Sequence, residues 1–133
     1  MILTPTYHVF DMFKVHMDST LLDFTMLSDD YLADGKIVKK VNASASKSAD
    51  GKIHITLCNI DPENGAKVQC LLDAMPSNTP VSGTILTSNA MNTHNTFSEP
   101  EAIKPVSFTG FKVSGDQLFL DLPSKSVTLI TIG

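Results

Sequence analysis

Arginine is missing from these 133 residues, and so is tryptophan. All ten basic side chains are lysines, set against fourteen acids, for a formal net charge of −4. Arginine is the favoured residue for bidentate phosphate and base contacts. Its absence, with a net negative charge, argues against nucleic acid as a partner. Only two cysteines are present, Cys58 and Cys70, too few for a disulfide framework. Both sit in apolar strand-like stretches and read as reduced core residues. No run of roughly 18 apolar residues occurs, so no membrane span is expected. Met1-Ile2-Leu3 is too short for the apolar region of a signal peptide, and no basic residue precedes it. No export signal is expected within these residues, and the location is left open between cytoplasmic and periplasmic.

What is there reads as one domain. Thr4-Pro5 has the form of a helix start, a hydroxyl cap followed by proline at the first helical position. Val9, Phe10, Phe13 and Met17 recur at helical spacing and predict one buried face. After about residue 20 the chain reads as short strands and turns. Leu21–Ser28, Ile37–Ser46, Lys52–Ile60, Ala66–Met75, Val81–Ser88, Val106–Val113, Gln117–Leu122 and Ser126–Ile132 are the expected strands. Asp50-Gly51 is a hairpin signal between two of them. Asp61-Pro62-Glu63-Asn64-Gly65, Met75-Pro76-Ser77-Asn78 and Ser114-Gly115-Asp116 are turns, and Asn89–Pro105 is a long loop. Strands of this length and spacing predict an all-β, antiparallel, jelly-roll-like sandwich preceded by one α-helix.

Chemistry is sparse. His8 and His16 lie eight apart on a similar helical face, His54 alternates with Ile53 and Ile55, and His94 is in the long loop. Neither ligand number nor spacing makes a metal site. Glu63, Glu99 and Glu101 are the three glutamates. Glu99 and Glu101 flank Pro100 in one loop, where two carboxylates cannot straddle a sugar ring as glycoside hydrolysis requires. No G-x-S-x-G or Cys-His pair marks a nucleophile, and no glycine-rich phosphate loop is present. Asn42-Ala43-Ser44 is a glycosylation triplet of a kind that arises by chance. A sugar-binding module is the alternative reading of such a sandwich. Tyr7 and Tyr31 are the only tyrosines, and a groove would have to be built from residues such as Phe97, Asn92 and Asn95. No catalytic, cofactor-binding or metal-binding residue is assigned.

The most specific segment is Leu3–His16, LTPTYHVFDMFKVH. It resembles the stretch linking barrel to sandwich in α-L-arabinofuranosidases of glycoside hydrolase family 51. Val41–Ser46, Asp50-Gly51, Leu57–Pro62, Val81–Thr87, Met91–Phe97 and Leu122–Val127 continue the resemblance in order along the chain. The resemblance implies a parent with a (β/α)₈ barrel followed by a C-terminal sandwich. Such enzymes release terminal arabinofuranosyl units from arabinan and arabinoxylan with retention of configuration. Their two catalytic glutamates lie at the ends of barrel strands, and no glutamate here matches either. On this resemblance residues 1–18 are the last helix of the barrel and residues 19–133 the C-terminal sandwich. The implied role is structural or accessory, with no cofactor and no hydrolysis by this chain alone. The implied partners are the barrel and, through it, an arabinose-containing polysaccharide. In the family, strands from the extreme N-terminus complete the sandwich. A free sheet edge and the exposed helix face therefore predict homo-oligomer contacts.

Overall fold

In the computed structural model, which describes residues 1–72 and 78–133, one helix is followed by twelve strands. Helix α1 (Pro5–Phe13) starts as its sequence predicts: Thr4 is extended, its Oγ1 accepts from the Tyr7 amide at 3.1 Å, and Pro5 opens the first turn. A 3₁₀ turn, Lys14–His16, prolongs it, and Met17 is already extended.

Six strands form the larger sheet, all neighbours antiparallel. In spatial order they are β1 (Thr20–Leu21), β5 (Val41–Lys47), β6 (Ile53–Asn59), β12 (Ser126–Ile132), β8 (Val81–Leu86) and β9 (Val106–Ser107). The second sheet runs β10 (Phe111–Ser114), β11 (Gln117–Leu122), β7 (Ala66–Leu71) and β2 (Thr25–Leu27). The core lies between them. Ala45, Ile55, Ile130 and Ile132 from one sheet meet Val68, Cys70, Leu118 and Leu120 from the other. Strand periodicity of two produces this directly: in β12, Ser126, Thr128, Ile130 and Ile132 are buried while the residues between are half-exposed. Ile53, Ile55 and Leu57 share the inward face of β6, and His54 lies on the other, as the alternation predicts.

Three expected strands are divided. Leu21–Ser28 forms an edge of each sheet, because the chain crosses between them at Leu22–Phe24. Val106–Val113 does the same, turning at residues 108–110. Gly110 makes that crossing possible: a Cβ there would lie 2.8 Å from the Phe108 ring and 3.0 Å from the Asp121 carbonyl. Ile37–Ser46 breaks at Lys40. Its first part, β4 (Lys36–Lys39), pairs instead with β3 (Asp30–Ala33) in a separate two-stranded hairpin. Asp34 and Gly35 turn that hairpin with φ of 48° and 75°. The Asp50-Gly51 hairpin joins β5 to β6 through a loop one residue longer: the Ser48 amide donates to Lys52 O and the Gly51 amide to Ser48 O, each at 2.9 Å, and Gly51 alone takes positive φ there. The Ala66–Met75 strand is β7 to Leu71. Its expected end and most of the Met75–Asn78 turn lie outside the described residues.

The expected helix face is corrected. Met12 and His8, four apart, are the buried pair on α1, and Val9 and Phe13 are half-buried beside them. Phe10 is 74% exposed and Met17 72%. Phe10 points away because it sits half a turn from both His8 and Met12, and Met17 lies past the helix end.

Candidate functional site

The helix rests on the outer face of the larger sheet, against β8 and β12, and its 3₁₀ turn sits on β5. Polar side chains of β5 and β6 receive it. His16 Nδ1 lies 2.6 Å from Ser46 Oγ and Nε2 lies 2.9 Å from Thr56 Oγ1. Burial, and to a lesser degree His54, holds the His16 imidazole below its ordinary pKa, favouring the neutral ring that these contacts use. His54, also lowered by burial, lies 3.1 Å from Thr131 Oγ1 and 3.3 Å from Ser48 Oγ. These histidines are thus helix-to-sheet and strand-to-strand ties. His8 is buried on α1, and exposed His94 faces its own loop at Asn92 O. Among the described residues no three His, Cys, Asp or Glu side chains gather as metal ligands.

The long loop is anchored beneath the helix start by Asn95. Its side-chain amide donates to Leu3 O at 2.7 Å and Ile103 O at 2.9 Å, and its oxygen accepts from the Ile103 amide at 2.8 Å. A buried amide held in this way has no donor left for a ligand. Phe97 is 92% exposed and Asn92 also faces solvent, so Phe97, Asn92 and Asn95 do not form a groove. Glu101 pairs with Lys104 at 2.6 Å on the surface, and Glu99 and Glu63 are exposed. Neither trough found among the described residues is lined by any of the three.

A polar centre that sequence reading passed over lies where β4 gives way to β5. Lys40 and Asp61 are both buried and pair at 3.1 Å. The Asp61 carboxylate also accepts from the Glu63 and Asn64 amides, each at 2.9 Å, and these backbone bonds with Lys40 hold it well below the usual carboxylate range. Asn59 Nδ2 donates to Pro123 O at 2.8 Å and Asn64 O at 3.1 Å, and the Lys125 amide donates to Asp61 O at 2.8 Å. This arrangement locks three loops at one end of the sandwich. Its carboxylate is saturated with donors, which suits structure and not proton transfer. The signal available in the sequence was the Asp61-Pro62-Glu63-Asn64 turn itself. The cysteines lie on opposite sides of the larger sheet: Cys70 is buried in the core, its thiol pushed up to about 11 by burial, and Cys58 is half-buried on β6.

What remains for function is surface. Tyr7, Phe10 and Met17 are exposed along the helical segment, and Met91 and Phe97 are exposed in the loop whose Asn95 holds the helix start. Leu32 and Ile37, cross-strand neighbours on the β3–β4 hairpin, are exposed as well. Large apolar side chains left exposed on neighbouring segments are the material of contact surfaces. The family described as alpha-L-arabinofuranosidase C-terminal domain matches residues 1–126. The chain belongs to that family. An intracellular exo-alpha-L-arabinofuranosidase of Bacteroides ovatus is 35% identical over 133 residues, which are 99% of this chain and 26% of the relative. The crystal structure of the family 51 arabinofuranosidase of Xanthomonas axonopodis pv. citri superposes with a TM-score of 0.93 at 36% identity. It covers 100% of this chain, which corresponds to 27% of that one. The thermostable Thermotoga petrophila enzyme, 21% identical, shares the fold with a TM-score of 0.75 over 99% of this chain and 29% of its own. The arabinofuranosidase C-terminal domain therefore spans about a quarter of the relatives it matches.

Proposed function

We propose that this domain is the accessory β-sandwich of a retaining α-L-arabinofuranosidase, seated beside a (β/α)₈ barrel that supplies both catalytic glutamates. Residues 1–18 serve as the last helix of that barrel and residues 19–133 as the sandwich. The observation that carries the reading is the two-sided helical segment. Met12 and His8 are buried on one side while Phe10 and Met17 remain in solvent, in a chain that matches a quarter of each relative end to end. A partner that covers Phe10 and Met17 completes the helix as a buried element. The substrate is then a polysaccharide bearing terminal arabinofuranosyl units, processed in the barrel, and the sandwich contributes rigidity.

A chimaera tests this: the C-terminal quarter of the Bacteroides ovatus relative is replaced by this chain. Phe10→Asp and Met17→Lys are expected to leave the melting temperature of the isolated chain nearly unchanged, within about 0.5 kcal/mol as for other exposed sites. In the chimaera the same substitutions lower it by several degrees. Equal, negligible effects in both proteins would contradict the docking reading.

A further inference from the structure

The outer face of the smaller sheet carries a trough of about 670 Å³, on the side of the molecule away from the helix. That volume falls in the range of small-molecule sites. Its floor is made by alternate residues of two paired strands, Lys67 and Gln69 of β7 and Phe119 and Asp121 of β11. The walls are the segments at opposite edges of the sheet, with Leu27 and Asp29 on one side and Thr109 and Lys112 on the other.

The chemistry of these groups is uneven in a useful way. Lys67 and Asp121 stand directly opposite each other across the strand pair, yet no ion pair closes between them. Gln69 is held by a 3.1 Å bond to the Gln117 side-chain oxygen, which orients its amide and leaves its own carbonyl oxygen able to accept. The Phe119 ring, 38% exposed, lies in the floor between these polar groups. Two acids and two lysines balance, so the trough has no net charge to attract an ionic ligand. It offers donors, acceptors and one ring face side by side along an open channel. A neutral, polyhydroxylated chain matches that set: hydroxyls meet the carboxylate, ammonium and amide, and a C–H face meets the ring, whose π-face is negative.

We propose that this trough binds a stretch of neutral polysaccharide, an ancillary sugar site on the sandwich itself. In choosing arabinan as the sugar it rests on the arabinofuranosidase reading above. The site would hold the polymer near the enzyme while terminal units are removed elsewhere.

The test is a titration of the whole 133-residue chain with linear arabino-oligosaccharides, followed by calorimetry and by backbone amide shifts. Saturable binding with shifts at Lys67, Gln69, Phe119 and Asp121 is expected. Phe119→Ala should weaken it about tenfold, the scale of one lost ring contact. Phe119→Tyr should retain it, and Phe97→Ala, an exposed ring on the long loop, should leave it unchanged. Absence of saturable binding, or binding indifferent to Phe119→Ala in a chain whose circular dichroism is unaltered, overturns the site. The chimaera's melting temperatures report separately on docking, so the two proposals fail independently.

Discussion

Asp61 shows how a single residue in a turn can govern a whole end of the sandwich. Two backbone amides and a buried lysine favour its ionised form, so its folded-state pKa lies below the unfolded value of about 3.9. The stability this contributes is therefore complete above roughly pH 4 and is lost as pH falls toward the folded value. Urea midpoints between roughly pH 2 and 5 should fall steeply on acidification for the wild type and much less for Asp61→Asn. Asp61→Asn should also be the less stable protein near neutrality, since Lys40 then keeps a buried charge without its partner. Lys40 was not legible as a core residue. A lysine preceding an alternating stretch reads as solvated, and only the fold brings a carboxylate 21 positions further along to meet it. The histidines show the same limit: His54 could be placed opposite Ile53 and Ile55 by alternation, but its bond to Thr131 required the pairing of β6 with β12.

Local signals carried the elements whose partners are near in sequence or whose alternation is strict. Thr4-Pro5 capped a helix, Asp50-Gly51 made a hairpin, and Gln117–Leu122 and Ser126–Ile132 are strands with the boundaries expected from pattern. The two strands that change sheets were misread for one cause. Period-two alternation records which side of a strand is buried, but not which sheet the strand has joined. Leu21–Ser28 and Val106–Val113 each keep a strand-like composition while the chain passes from one sheet to the other. Gly110 was the available sign of the second crossing, since glycine within a strand pattern marks a bend or a close approach. Gly110→Ala should accordingly cost about 1–3 kcal/mol, because the new methyl group must displace either the Phe108 ring or the Asp121 carbonyl. Chemical denaturation would check it, and a loss near zero would mean that the crossing tolerates a side chain.

At the scale of the molecule, the fold class followed from strand number and turn spacing, whereas the division into six and four strands did not. Sheet membership depends on contacts between distant segments, such as β12 lying between β6 and β8. Short strands close three of the four edges of the two packed sheets: β1 and β9 have two residues each and β2 has three, a form that resists edge-to-edge association. β10 (Phe111–Ser114) is the longest free edge of the two packed sheets, and pairing of the sandwich with another chain is expected there first. The helix turns one side to the sandwich and the other to solvent, and the proposed barrel is what that second side awaits. On this account the domain contributes position and rigidity, and the hydrolytic carboxylates belong to its partner. Release of 4-nitrophenol from its α-L-arabinofuranoside, measured for the purified chain beside the chimaera, tests that division of labour most directly. Turnover is expected from the chimaera and none above the spontaneous rate from the chain alone; turnover by the chain alone, abolished when Glu99 or Glu101 is changed to Gln, would place the hydrolytic carboxylates in the sandwich instead.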